Sequence, residues 1–207
     1  EEEKKILNNF PKDKQTTETA LLFLQLIMRK LRRKKANKRG GRAAIVVPNG
    51  TLFADGISAK IKKELLEQFN LHTIIRLGEG AFAPYTDIPA NLLFFEHGTP
   101  TEKIWFYEMP VPDDRKKYSK TRPMQNVEFD PLKTWWNKRK ETENAWVVPI
   151  NKIIGERENG GLGVNLDQKN PNKKNKFQYQ SPHKVIQSIW ERENEIIQLV
   201  NTIKDSL

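Results

Sequence analysis

The sequence predicts an α/β fold whose sheet ends in an antiparallel edge hairpin, followed by a C-terminal helical tail. Residues 43–47, AAIVV, form an unbroken apolar run, which is typical of a parallel strand buried on both faces. Residues 57–69 carry apolar side chains at helical spacing, and residues 72–77 form a second β-branched run. Strand, helix and strand within about 35 residues indicate a right-handed βαβ unit.

One helix precedes this unit and two strands follow it. Residues 16–31 begin with threonines that can cap a helix, and their apolar residues then recur at helical spacing. Strands are expected at residues 92–96 and 103–108. Because only a short linker, GTPT, separates the two strands, we predict an antiparallel hairpin at the edge of the sheet.

The composition of the chain changes after Pro110. Residues 111–181 are basic and rich in proline, asparagine and glycine, whereas residues 182–207 predict one amphipathic helix. The expected organisation is therefore an α/β domain at residues 1–110, an extension at 111–181 and a docking helix at 182–207. The apolar side chains along one face of that helix must pack against a surface, either on this domain or on another protein.

Composition narrows the class of protein. The 207 residues are 37% hydrophobic and 30% charged, which suits one domain with an appendage. No apolar run is long enough to cross a membrane. The absence of cysteine excludes disulfides and thiolate metal sites and fits the cytoplasm, and we expect no metal site.

The formal net charge of +10 is concentrated in clusters. The largest runs from Arg29 to Arg42, with nine Lys or Arg residues and no acid. Such clusters supply phosphate contacts to nucleic acids, although solvated helix ends and loops are the alternative interpretation. The predicted DNA phosphate contacts are Arg32, Arg33, Lys34, Lys35, Lys38, Arg39, Lys173 and Lys174.

The most informative segment is the loop at residues 77–89, LGEGAFAPYTDIP. Gly78 and Gly80 free its backbone, two prolines stiffen it, and Phe82 and Tyr85 offer flat faces. In a basic protein such faces suit a nucleobase. The alternative is that Phe82 covers the end of the core, since buried aromatic residues are far commoner than ligand-stacking ones.

Residues 48–51 and 78–86 are expected to share one crevice, because ligands of open α/β sheets bind at the carboxyl ends of the strands. Asn49 offers an amide to the edge of a base, or else it is the αL-tolerant residue of a tight turn. The sequence holds no complete GxGxxG, P-loop, HExxH or GxSxG motif. No catalytic residue is therefore assigned.

Several segments together carry a family resemblance: residues 41–53, 70–77, 80–95 and 103–108, with further matches at 8–11, 17–24, 165–167 and 169–171. They resemble the modification subunit, a DNA methyltransferase, of type I restriction–modification systems. The resemblance covers essentially the whole chain. It implies the later strands of a partial Rossmann-like sheet of the kind found in S-adenosylmethionine-dependent methyltransferases.

The resemblance implies adenine methylation. The family transfers a methyl group from S-adenosylmethionine to N6 of an adenine that is flipped out of the DNA duplex. Its glycine-rich cofactor loop and its catalytic Asn-Pro-Pro-Phe motif occur nowhere in these 207 residues. The chain is therefore similar to the C-terminal half of such a subunit, and alone it is expected not to methylate DNA.

The resemblance also implies roles for individual residues. Phe82 matches the aromatic residue that stacks on the flipped adenine, and Pro84 and Tyr85 would shape the wall of the target-base pocket. Asn49, placed beside them by its position after a strand, is the fourth residue expected in this pocket. The C-terminal helix resembles the contact with the specificity subunit, which selects the DNA sequence. Double-stranded DNA and the restriction subunit are the other implied partners. The Arg29 to Arg42 run is more basic than the family leads us to expect, so its role stays open.

Two other functions remain possible at this stage. A non-catalytic nucleic-acid-binding or assembly module would use the βαβ core as a scaffold and the basic clusters as its binding surface, with strongly salt-dependent affinity. A degenerate methyltransferase homologue would keep the fold without the chemistry, which the fold alone does not decide.

Overall fold

The computed structural model describes residues 2–36, 38–112, 114–156, 160–173 and 181–205. The chain divides into two units, residues 1–173 and 174–207. The second unit contains helix α6 (Pro182–Asp205). The helices of the first unit are α1 (Glu2–Leu7), α2 (Thr19–Lys30), α3 (Asn49–Phe53), α4 (Ile57–Gln68) and α5 (Asp130–Asn137). Its strands are β1 (Arg42–Pro48), β2 (Phe69–Arg76), β3 (Ala90–His97), β4 (Lys103–Glu108), β5 (Ala145–Pro149), β6 (Ile154–Glu156) and β7 (Leu162–Val164).

Five strands form one mixed sheet in the order β1-β3-β2-β4-β5. β2 and β4 are parallel neighbours, and the other neighbouring pairs are antiparallel. β6 and β7 form a separate antiparallel pair. The predicted α/β class is confirmed. Residues of the segment 111–181 contribute both β5 and α5.

The prediction that residues 43–47 form a central parallel strand is wrong. β1 lies at the edge of the sheet and pairs antiparallel with β3, which separates it from β2. Val47 is buried against α2 and α4, but Val46 on the opposite face is 49% exposed. An unbroken apolar run does not by itself show that both faces of a strand are buried. Here the helix that covers the second face, α5, packs on β2, β3 and β4 and leaves that face of β1 exposed.

The predicted hairpin of β3 and β4 is also wrong. The two strands run in opposite directions, but β2 lies between them. The cause is Thr101 in the linker, whose hydroxyl donates to the carbonyl of Phe69 and accepts the N–H of Leu71, both at 2.8 Å. These bonds hold the linker across the beginning of β2, so the next strand joins the far side of β2.

Helices cover both faces of the sheet. On one face, α2 and α4 bury Leu24 and Leu65 in a cluster with Phe106. On the other face, α5 contributes Leu132 and Trp135 to a second cluster. The sheet is thus a central layer, and its edges carry the loops.

A buried lysine closes the connection between α3 and α4. Lys62 is only 1% exposed, and its Nζ donates to the carbonyls of Leu52 and Ala54 at 2.9 and 2.7 Å. These are carbonyls at the C-terminal end of α3, which the helix itself leaves unpaired. The ammonium group therefore satisfies acceptors that are otherwise costly to bury.

We predict that Lys62→Met lowers the free energy of unfolding by about 2–4 kcal/mol, because two charge-assisted hydrogen bonds are lost. Lys63→Met is the matched control, since Lys63 makes only a surface ion pair with Glu67 at 3.7 Å and should change stability by less than about 1 kcal/mol. Denaturant unfolding measures both variants. Equal midpoints for the two would contradict the assigned role of Lys62.

Candidate functional site

Three strands end along one edge of the sheet, which we call the carboxyl edge. β1 ends at Pro48, β2 at Arg76 and β4 at Glu108, and the strand register aligns these ends. The two loops that were predicted to share a crevice meet here. The backbone N–H of Asn49 donates to the carbonyl of Pro89 at 2.8 Å, although β3 separates β1 from β2.

The loop at residues 77–89, the aromatic loop, connects β2 to β3 at this edge. It consists of hydrogen-bonded turns: Ala83 N–H donates to the Gly80 carbonyl at 2.9 Å, and Tyr85 N–H donates to the Phe82 carbonyl at 3.0 Å. These hydrogen bonds give the loop a defined backbone. The peptide bond between Ala83 and Pro84 is cis.

The two aromatic side chains of this loop are exposed. Phe82 is 39% exposed and Tyr85 92%, and Pro84 is exposed between them. Neither ring belongs to the two apolar clusters that flank the sheet. The structure thus favours a surface role for Phe82 over a role as a cover for the core.

Asn49 is held beside the aromatic loop. Its Oδ1 accepts a hydrogen bond from Nδ2 of Asn91 at 3.1 Å, and Asn91 is almost fully buried at the start of β3. Asn49 opens α3, and no non-glycine residue of the described chain has positive φ, so the tight-turn interpretation is wrong. The Asn91 contact holds the Asn49 amide in place beside the loop.

Tyr118 packs against the backbone of the aromatic loop. A Cβ added at Gly78 would lie 2.7 Å from Cε2 of the Tyr118 ring, and a Cβ at Gly80 would lie 2.3 Å from the Tyr118 carbonyl oxygen. Gly80 also has a positive φ of 73°. The two glycines therefore allow Tyr118 to approach the loop backbone more closely than any larger residue would.

The hydroxyl of Tyr118 donates to the carboxylate of Glu128. Burial of the ring raises the pKa of Tyr118 well above its ordinary value, and this hydrogen bond is the second, smaller cause. Next to it, Lys117 pairs with Asp87 of the aromatic loop at 3.0 Å, and both side chains are largely exposed. The hydrogen bond that Lys117 donates to the Asp87 carboxylate raises the pKa of Lys117.

A second segment, residues 167–173, runs along the carboxyl edge. It was not predicted as part of the site. Arg76 Nη2 donates to Oδ1 of Asp167 and to the carbonyl of Gln168, both at 2.6 Å. Asn170 Nδ2 contacts Oε2 of Glu108 at 3.4 Å. The sequence does contain a signal that could have pointed to these contacts. Arg76 and Glu108 are charged residues at the ends of two predicted strands, where their side chains face the same crevice.

One predicted phosphate contact, Lys173, belongs to this second segment. Lys173 lies at the carboxyl edge, where its Nζ pairs with Oε1 of Glu108 at 2.7 Å. Lys174 lies outside the described residues. The charge of Lys173 is therefore partly compensated within the chain.

The other predicted phosphate contacts lie at the opposite ends of the strands, away from the carboxyl edge. Residues 31–41, the basic loop, connect α2 to the beginning of β1. Arg32 Nη2 donates to the carbonyl of Arg39 at 3.1 Å, and Gly41 N–H donates to the carbonyl of Arg32 at 2.7 Å, so the loop folds back on itself. The seven residues of β1 separate it from the carboxyl edge, a distance of about 23 Å. The structure thus does not bring these residues together with Phe82. They are Arg32, Arg33, Lys34, Lys35, Lys38 and Arg39.

The described part of the chain contains no helix that is both long and apolar enough to span a bilayer. Within the same residues, no three His, Asp or Glu side chains converge in a way that would hold a metal ion.

The sequence profile of the N-6 DNA Methylase family matches residues 1–176. The methylase subunit of the type I restriction enzyme EcoEI from Escherichia coli is 45% identical over 213 residues. That alignment covers 100% of this chain and 41% of the relative.

Two solved structures are also similar. One, described as a modification subunit of a type I restriction enzyme from Vibrio vulnificus, has a TM-score of 0.77 and 61% identity over 81% of this chain and 35% of its own. A chain from work on assembly and conformational transition of the type I restriction–modification system has a TM-score of 0.70 and 37% identity. It covers 96% of this chain and 41% of its own. This chain thus spans between 35% and 41% of the length of these relatives, and it belongs to the N-6 DNA methylase family.

Proposed function

We propose that this chain is part of a type I modification subunit that transfers a methyl group from S-adenosylmethionine to N6 of adenine in DNA. Its own contribution is the wall of the target-base pocket and a helix for subunit docking. The observation that carries the proposal is the exposed Phe82 on a structured loop at the carboxyl edge. The membership of the family supplies the reaction.

The proposed pocket wall consists of exposed side chains of the aromatic loop. A flipped adenine stacked on Phe82 would cover a ring face that otherwise contacts water, with Pro84 and Tyr85 beside it. Such stacking is worth about 1–3 kcal/mol per base and is tolerant of base identity. The Asn49 amide, oriented by Asn91, offers its Nδ2 donor to a ring nitrogen of the base.

The cofactor does not fit the glycine-containing loop of this chain. The space beside Gly78 and Gly80 is filled by the ring and the carbonyl of Tyr118, so these glycines do not cradle a ligand. We therefore assign S-adenosylmethionine to the part of the parent subunit that this chain does not span. No step of the transfer is assigned to residues present here.

α6 is the proposed docking element for the specificity subunit. Its 24 residues make a rod of about 36 Å. Large apolar side chains are exposed along it, and an apolar stripe of this size on a helix usually packs against a partner. They are Val185, Ile186, Ile189, Trp190, Ile196, Ile197, Leu199, Val200 and Ile203.

The basic loop is the proposed site of DNA phosphate contacts outside the target-base pocket. Its described lysines and arginines are exposed, and no acidic residue interrupts them. We leave Lys173 out of this assignment because it pairs with Glu108. The restriction and specificity subunits complete the proposed assembly.

Phe82→Ala in the complete modification complex is predicted to lower kcat/KM for DNA methylation about tenfold to a hundredfold, because the lost stacking free energy applies to the flipped base. The dissociation constant for S-adenosylmethionine should stay unchanged. Phe23→Ala on α2, where the ring is 56% exposed, is the matched control. Equal kinetics for the two variants, or an equal loss of cofactor binding, would refute the assignment of Phe82.

The double substitution Lys35→Gln and Lys38→Gln tests the basic loop in the same complex. We expect the slope of log affinity for DNA against log salt to fall by about 2, since each phosphate contact contributes about 0.9. Methylation at saturating DNA should be retained. Lys60→Gln with Lys63→Gln on α4 makes the same change in charge and should leave the slope unaltered. If Phe82→Ala has no effect while the loop variant abolishes DNA binding, the chain is a nucleic-acid-binding module instead.

A further inference from the structure

We propose that Tyr118 is a positioning residue for Phe82, holding the aromatic loop in the shape that presents the ring to a flipped base. The inference rests on the proposed role of Phe82. Tyr118 is fully buried, although it belongs to the irregular segment between β4 and α5. A buried tyrosine in such a segment needs a structural partner, and its partner is the backbone of the aromatic loop.

The contact depends on two glycines of the aromatic loop. At Gly78, an added Cβ would collide with the Tyr118 ring at 2.7 Å and with Cγ2 of Val111 at 2.6 Å. At Gly80, it would collide with the Tyr118 carbonyl oxygen at 2.3 Å, and the positive φ disfavours any side chain there. Because Phe82 lies two residues further along, a displacement at Gly80 moves its ring.

Hydrogen bonds fix Tyr118 at both ends. Its backbone N–H donates to the carbonyl of Glu79 at 2.9 Å, and its hydroxyl donates to the carboxylate of Glu128. Glu128 is itself held in a short turn, where its other oxygen accepts the N–H of Gln125 at 3.3 Å. That turn leads directly into α5, which packs on the sheet through Leu132.

These contacts form a continuous support from the sheet to the aromatic loop. It runs from α5 through Glu128 to Tyr118, and from Tyr118 to the backbone of residues 78–80. The exposed pair of Lys117 and Asp87 adds little, because surface ion pairs contribute little to stability. The Tyr118 hydroxyl is therefore the side-chain contact that links this support to the turn before α5.

A double-mutant cycle of Tyr118→Phe and Glu128→Ala in the complete modification complex tests this inference. Tyr118→Phe keeps the ring against the glycines and removes only the hydroxyl. The readouts are kcat, KM for DNA, and fluorescence of a 2-aminopurine placed at the target adenine. Tyr107→Phe is the matched control, since Tyr107 is also buried but lies on β4 in the second apolar cluster.

We expect each single variant to lower kcat about tenfold, the range of a hydrogen bond to a charged group, with little change in KM. The double variant should be no worse than either single one, because both remove the same contact. The 2-aminopurine signal should fall in parallel, whereas Tyr107→Phe leaves it unchanged. Gly80→Ala should lower the signal further, and Gly56→Ala, which has positive φ but no atom within 4 Å of the added Cβ, should not.

Three results overturn the inference. If Phe82→Ala lowers the signal but Tyr118→Phe behaves like Tyr107→Phe, the positioning role fails and the proposed function stands. If Phe82→Ala leaves both kcat and the signal unchanged, the proposed function and this inference fail together. Additive losses in the cycle would also contradict the support through Glu128.

Discussion

The order of the sheet depends on the crossing of one short linker over the beginning of β2. Thr101 fixes that crossing, because its hydroxyl bonds the backbone of Phe69 and of Leu71. With the linker held there, β4 joins the far side of β2 and runs parallel to it. β2 therefore lies in the middle of five strands, and the aromatic loop leaves the centre of the carboxyl edge rather than a corner.

The carboxyl edge is built from segments that are distant in the chain and tied together by polar contacts. Asn91 orients Asn49, Arg76 binds Asp167, and Tyr118 reaches Glu128. These contacts leave the backbone of the aromatic loop supported and the rings of its two aromatic residues exposed. A preorganised surface of this kind loses little conformational entropy on binding, which favours binding at the exposed rings.

Local patterns in the sequence were sufficient for the elements but not for their pairing. Strands were predicted at residues 43–47 and 103–108, close to the observed β1 and β4, because runs of apolar residues determine them. The hairpin was mispredicted because the contact of Thr101 with β2 is long-range and leaves no local signal. Likewise Gly78 indicated backbone freedom, whereas the structure uses it to make room for Tyr118, 40 positions later in the chain.

In the proposed function, a base flipped from DNA reaches the aromatic loop. We would test this contact by photo-cross-linking, with 5-iodouracil at the target position of a duplex bound to the complete modification complex. Trypsin releases the loop within one peptide, residues 77–103, because Arg76 and Lys103 are the flanking cleavage sites. We expect the cross-link to map to Phe82 or Tyr85 in that peptide. Cross-links confined to the basic loop, or to residues outside this chain, would contradict it.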